Sequence, residues 1–435
     1  MNADDLRPWR PTAGAPWDRS AVAHLWRRAG FGATPSELER ALEEGPQQSL
    51  QRLLEPSGHS AALVEGVRAV LAVDSLEGLQ SWWTELILMG GDPLGERLTL
   101  FWHDHFATSN DKVADVRAMH AQVELLRERG GGDFRELLHA VARDPAMLIW
   151  LDGDENRVGH PNENFAREVL ELFALGIGHY SEDDVLEAAR AFTGWGTRGR
   201  AFAWRPELHD GGVKRVLGAR GAFDGDAVLD VILASPDCAR HVARALLAEF
   251  VVAGYDEGHV GALADVLIER GWSVRSTLEV LLASRLFFAP ETRHARIAGP
   301  VELCAITLRG LDARVPARDV VRACARMGQS LYRPPSVKGW DGGRAWIHAG
   351  TWLARHDLLA GLVLESSRVD LEACFGTPRP VERFVERLCD SLLLRDPGPA
   401  FREAVTSAVD AAPDDDTALA RGAALVLTSP EYQLV

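Results

Sequence analysis

Lysine and asparagine are nearly missing from this chain of 435 residues. The lysines are Lys112, Lys214 and Lys338; the asparagines are Asn2, Asn110, Asn156, Asn162 and Asn164. Almost all positive charge is carried by arginine. Arginine and lysine differ in geometry and hydration, so a surviving lysine marks a position where a guanidinium does not serve. Leaving Asn2 aside, six of the seven scarce residues fall between Asn110 and Lys214, about a quarter of the chain. Turn and cap chemistry accounts for Asn162, but it accounts poorly for Lys112 or Lys214. The stretch from Phe101 to Lys214 is therefore the expected functional centre.

Other absences exclude whole classes of function. No apolar run approaches the ~20 residues of a membrane-spanning helix. No basic run is present and the formal net charge is −16, which argues against a nucleic-acid partner. The N-terminal stretch MNADDLRPWRPTAGAP has neither a signal-peptide core nor a twin-arginine signal, so the chain as given is expected in the cytoplasm. The five cysteines, Cys238, Cys304, Cys324, Cys374 and Cys389, show no C-x-x-C spacing and read as packing thiols. There is no Walker loop, G-x-G-x-x-G after a strand, G-x-S-x-G or H-E-x-x-H.

What is present is the material of a globular protein: 46% hydrophobic residues, 25% charged residues and 13 tryptophans. Helix starts are written at Thr34-Pro-Ser-Glu37, Asp92-Pro93, Asp133–Glu136 and Ser181–Asp184. Helix stops fall at Gly130–Gly132 and Gly176-Ile-Gly178. The helical period disappears over 194–221, where a loop or small hairpin is expected. These signals predict a mainly α, multi-helix globular assembly. Its parts are an irregular segment 1–20, a helical lobe 21–221 carrying the site, and a C-terminal helical lobe 222–435. An irregular echo, Leu233-Ala-Ser-Pro236, Leu282-Ala-Ser284 and Leu427-Thr-Ser-Pro430, reads as recurring helix punctuation.

Five constellations could carry chemistry. In Phe101-Trp-His103-Asp-His105-Phe106, helical phasing puts His105 on the inward stripe with Leu94, Leu98 and Phe101, and points His103 elsewhere. The run from Asp152 to Glu163 places Asp152, Asp154, Asn156 and Glu163 at positions 1, 3, 5 and 12, the oxygen-ligand spacing of a calcium loop. Arg157 stands where that loop needs glycine, and an interhelical turn capped by Asn162 is the alternative. Asn164, Glu168 and Glu171 form a polar stripe between apolar flanks, either an acid–base or metal-binding pair or a structural network, with Arg167 placed to pair with Glu171. His209-Asp210-Gly-Gly-Val-Lys214, with His179 upstream, has the composition of a binding loop or of an exposed turn. Pro334–Trp346, with two tryptophans, is a cleft wall or a packed Ω-loop.

Several runs together resemble one family. They are His24-Leu-Trp-Arg-Arg-Ala-Gly-Phe-Gly-Ala-Thr-Pro, Phe101–Phe106, Asp152 through Tyr180, Ala191-Phe-Thr-Gly-Trp195, Pro335-Ser-Val-Lys-Gly-Trp340 and Leu427-Thr-Ser-Pro-Glu-Tyr-Gln433. Their order and near full-length spread resemble the bacterial domain-of-unknown-function family 1800. The resemblance implies a helical architecture, an exported location for many look-alikes and a sulfatase-like partner protein, and it supplies no mechanism. The residues themselves lead to the expectation of a metal-dependent enzyme built from His103, His105, Glu168, Glu171, His179 and Lys214. A divalent cation, calcium in particular, is expected at Asp152, Asp154, Asn156 and Glu163. The competing reading is a non-catalytic binding or assembly protein whose polar networks are structural.

Overall fold

Capping side chains start the helices where the sequence writes them. Thr34 and Glu37 form a reciprocal capping box, as do Ser181 and Asp184, and Asp92 accepts the Gly95 N–H with Pro93 in the first turn. The computed structural model describes residues 2–55, 58–364 and 368–435. These residues are mainly α-helical. The segment around 194–221 is two antiparallel ribbons, β1 (Trp195–Arg198) with β2 (Ala201–Trp204) and β3 (Lys214–Val216) with β4 (Ala219–Gly221). No helix among the described residues is long and apolar enough to cross a membrane. All five cysteines are free thiols, four of them buried.

The N-terminal segment is mostly without helix, but it is strapped to the body. Trp9 stacks on Phe288 at 4.4 Å between ring centroids, and its N–H reaches the Ala283 carbonyl at 2.8 Å. Two apolar cores lie beyond it. The first gathers residues from Leu6 to Phe288; the second combines Phe31, positions between 67 and 146, and the chain from Ala298 to Val435. The boundary drawn at 221/222 does not separate these cores. Helices after 222, including Pro236–Phe250, pack in the first core, while Leu76–Met89 crosses to pack on Ala317–Arg326.

Four helices position the site. They are α1 (Pro93–His105), α2 (Glu163–Glu168), α3 (Pro236–Phe250) and α4 (Pro300–Gly310). Helix α2 runs on as a π-helix, Val169–Ala174, in which the Leu175 N–H bonds five residues back to Leu170. Helix α1 lies between the two cores. Leu94, Leu98 and Trp102 belong to the first and Leu100 to the second, and every residue from Leu94 to Leu100 is buried.

A square of charges ties α1, α3 and α4 together. Arg97 reaches Glu302 at 2.9 Å and Glu249 at 2.5 Å; Arg296, just before α4, reaches Glu249 at 3.3 Å and also pairs with Glu302. Each guanidinium bridges both carboxylates, which offsets the desolvation of all four charges. Removing one corner strands the others in a low-dielectric site, at a cost of about 3–5 kcal/mol. Glu302→Ala is therefore expected to lower the urea-unfolding free energy by that amount, whereas a loss below about 1 kcal/mol would mean that the square behaves as a surface pair.

Candidate active site

The end of α1 works as a hub. His103 is fully buried, and its Nε2 accepts the Tyr332 N–H at 3.0 Å, so the ring is neutral with its proton on Nδ1. Burial holds its pKa at about 3. The next residue, Asp104, accepts the Trp340 N–H at 2.7 Å. His105 Nε2 meets the Phe173 carbonyl in the π-helix at 3.1 Å, and burial, reinforced by nearby His241, takes its pKa to about 3. Contrary to helical phasing, His103 is the deeper of the two histidines. The phasing assumed one solvent-facing side, and α1 has none over most of its length.

Asp104 opens onto a cleft of about 320 Å³ whose walls include Arg97, Glu249, Glu302, Gln329, Trp340, Asp341 and Trp346. Two of the walls are α1 and α3; the third is the Gly-rich loop 339–343. Gly339 is required there. Its φ is +78°, and a Cβ would sit 2.0 Å from Asp104 Oδ1, displacing the acceptor of the Trp340 N–H. Removal from water pushes the Asp104 carboxyl up to about 7 against the Trp340 hydrogen bond, and the charges of Glu249 and Asp341 push the same way. Across the cleft, burial would raise Glu249, but Arg97, Arg296 and Arg28 outweigh it and hold that carboxyl below the ordinary glutamate value. One carboxyl that keeps its proton near neutrality thus shares a cleft with one held ionised.

The residues singled out by the sequence do not gather into one centre. Glu168 and Glu171 are half-buried on α2 and its π-extension. Burial raises Glu168, the Glu171 charge adds to this, and Arg167 and Lys338 oppose it. Arg167 bonds Glu163 at 3.1 Å and Glu182 at 2.6 Å rather than Glu171, because the wider π-turn carries Glu171 round to accept the Tyr180 hydroxyl at 2.6 Å. His179 is exposed and lies 3.2 Å from Asp237. Lys214 is buried by its own loop, with Nζ on the Asp210 and Gly212 carbonyls, and burial lowers its pKa.

The four oxygens of the calcium-type spacing point to different places. Asp152 pairs with Lys112 at 2.7 Å. Asp154 accepts from the Thr197 N–H at 2.7 Å and hydroxyl at 2.6 Å, and from Arg205 at 2.7 Å, which pins β1. Asn156 turns inward, donating to Ala189 O at 2.9 Å and accepting the Asn162 N–H at 2.9 Å, and Glu163 receives Arg167. Among the described residues no group of three or more His, Cys, Asp or Glu is placed to hold a metal ion. The scarce asparagines have a common task here, since Asn162 and Asn164 also bond the Asp152 and Leu151 carbonyls. They satisfy the backbone of an irregular loop.

Sequence reasoning missed Asp104 and Glu249. Asp104 was in view between two histidines, while Glu249 is an unremarkable carboxylate near the end of α3. The sequence signal for the loop's approach to Asp104 is the Lys338-Gly-Trp340 run, which places a glycine where the loop must touch α1.

Two outcomes are expected from this geometry. A carboxyl whose folded pKa is raised contributes its stability in full below the unfolded value and loses it as pH rises through the folded value. For Asp104 that window runs from 3.8 to about 7. Asp104→Asn keeps the acceptor for Trp340 and removes the titration, so its melting temperature should gain on the wild type as pH rises from 5 to 8; parallel curves would contradict the assignment. Because Asp152, Asp154 and Asn156 are already engaged, millimolar calcium should leave the melting temperature unchanged, and a clear rise would restore the calcium reading.

No curated protein and no solved structure matches the chain. One family model does, over residues 24–434. With nearly its whole length covered, the chain belongs to the protein family of unknown function DUF1800.

Proposed function

We propose that this protein is an enzyme whose acid–base centre is the cleft between Asp104 and Glu249. The observation that carries the reading is the placement of a half-buried carboxyl, backed by a sealed helix and one backbone N–H, opposite a carboxylate clamped between Arg97 and Arg296. Two titratable groups pushed apart by their surroundings divide naturally into acid and base. Hydrolysis of a bond to oxygen suits such a pair. Asp104 gives its proton to the leaving oxygen as that bond breaks. A water molecule supplies hydroxide to the other fragment and its remaining proton passes to Glu249. Solvent then returns the proton balance, leaving both carboxyls as they began.

A metal-dependent form of the reading, drawing on His103, His105, Glu168 and Glu171, has less support. The Nε2 atoms of both histidines are already bonded to backbone. The second reading, a non-catalytic binding or assembly protein, is favoured by one specific observation: His103, His105 and Lys214 all serve the chain's own backbone. Turnover discriminates between the two. A panel of nitrophenyl glycosides, esters and phosphates is expected to yield at least one substrate whose kcat falls about 100-fold or more in Asp104→Asn and in Glu249→Gln, with a rate that declines above about pH 7 in the wild type. Hydrolysis equal in the wild type and both variants would remove the cleft from the chemistry.

A further inference from the structure

We infer that Cys304 and Cys324 are a peroxide-oxidisable dithiol, whose oxidation joins α4 to the next helix, α5 (Ala317–Arg326), through a disulfide. The two thiols lie outside the lining of the cleft, and their chemistry is independent of Asp104 and Glu249.

Packing brings together two cysteines whose spacing in the sequence gives no sign of a pair. Cys304 stands on α4, two residues after the Glu302 corner of the charge square, and Cys324 stands in the last turn of α5. Cys324 donates its S–H to the Cys304 sulfur at 3.6 Å. Disulfide sulfurs sit ~2.0 Å apart, so about 1.6 Å remains to be closed. Among the described residues no other two cysteines are hydrogen-bonded, and Cys374 donates to the Leu311 carbonyl instead.

A buried cation acts on both sulfurs. Arg355 is 1% exposed; it donates to Gln433 Oε1 at 3.1 Å and to the Ala298 carbonyl at 2.8 Å. Its Nε has no partner, and among the described residues no carboxylate forms an ion pair with it. Burial lowers its pKa to about 10, and Cys304, Glu302 and Cys324 act against that. A guanidinium without a carboxylate favours a thiolate nearby. Contact with Cys304, then burial, holds the Cys324 thiol well above its ordinary value. Cys324 therefore keeps its proton, and Cys304 is the nucleophile.

Burial also selects the oxidant. Cys304 is 1% and Cys324 4% exposed, which shuts out a bulky disulfide and leaves hydrogen peroxide, close to water in size. The Cys304 thiolate attacks one peroxide oxygen. The O–O bond breaks, giving a sulfenic acid and a hydroxide that leaves as water with the proton first shed by Cys304. The Cys324 sulfur then attacks the Cys304 sulfur. The S–S bond forms, the S–O bond breaks, and the second hydroxide leaves as water with the Cys324 proton. The dithiol loses two electrons and the peroxide gains them. A resolving thiol already in contact stops the oxidation before the sulfinic acid. The new bond reinforces a junction held by hydrogen bonds alone: the Gln329 N–H meets the Cys324 carbonyl at 3.0 Å, and Gln329 Oε1 accepts the Val301 N–H of α4 at 3.0 Å.

Peptide mass mapping of the full chain tests this, after treatment with peroxide, removal of the excess by catalase and alkylation of the remaining thiols in denaturant. The main oxidised product should be one cross-linked Cys304–Cys324 peptide pair, lighter by two hydrogens and split by dithiothreitol. The preference for this pair should be lost when peroxide is added in urea, and oxidised glutathione should leave the folded pair reduced. Cys324→Ser should instead accumulate a sulfenic acid at Cys304 that dimedone traps. In the wild type, oxidation should raise the urea midpoint. The proposal is overturned if both cysteines are still alkylated once Cys374 has been oxidised, if the disulfide links other cysteines, or if oxidation lowers the urea midpoint. The wild-type map decides the matter even if the serine variant folds poorly.

Discussion

Two consecutive side chains at the end of one buried helix, His103 and Asp104, receive backbone N–H groups from a loop more than 220 residues further along the chain. The arrangement of the cleft depends on this pair of hydrogen bonds. Closing so long a loop is entropically costly, and the cost is offset where both donors and acceptors are removed from water and left with no other partner. His103 has to remain neutral to accept, and its burial against Trp83, Tyr332 and Trp340 keeps it so. Asp104 needs Gly339 to come close. Together they bring Trp340 against α1 and so form the wall that faces Glu249.

The same helix carries one corner of the charge square on a buried side chain. Arg97, two turns before Asp104, links α1 to α3 and α4 through Glu249 and Glu302. One helix thus organises both the structural ion network and the candidate acid. Glu249 belongs to both: the network holds it ionised, and it lines the cleft. The network keeps Glu249 ionised and so able to take a proton, and the neighbouring protonated Asp104 gives the pair its asymmetry.

Much of the fold could be read directly from local chemistry. Thr34, Asp92 and Ser181 cap helices as their residue types dictate, and the loss of helical period marks the ribbons between Trp195 and Gly221. The recurring serines split by role. Ser284 and Ser429 each accept an N–H three residues on and donate to a carbonyl three residues back, whereas Ser235 caps α3. The site was less legible for physical reasons. Periodicity reports which face of a helix meets water, and α1 meets water on none over Leu94–Leu100, so His103 was placed on the wrong side. The π-turn after Glu168 carries no signal in residue type, yet it redirects Glu171 to Tyr180. The calcium-type spacing matched along the sequence, but Asp152, Asp154 and Asn156 are drawn to partners from other elements, Lys112, Thr197 and Ala189, and Glu163 to Arg167 on its own helix. Asp104 and Glu249 are brought together by tertiary packing alone.

The acid of the cleft is one carboxyl, and its protonation is directly measurable. In protein labelled with ¹³C at aspartate Cγ, the Asp104 resonance, identified by its absence from the Asp104→Asn spectrum, should titrate with a midpoint at about 7. A midpoint in the ordinary aspartate range near 4 would mean that Asp104 is ionised at neutral pH, and the cleft would lose its acid.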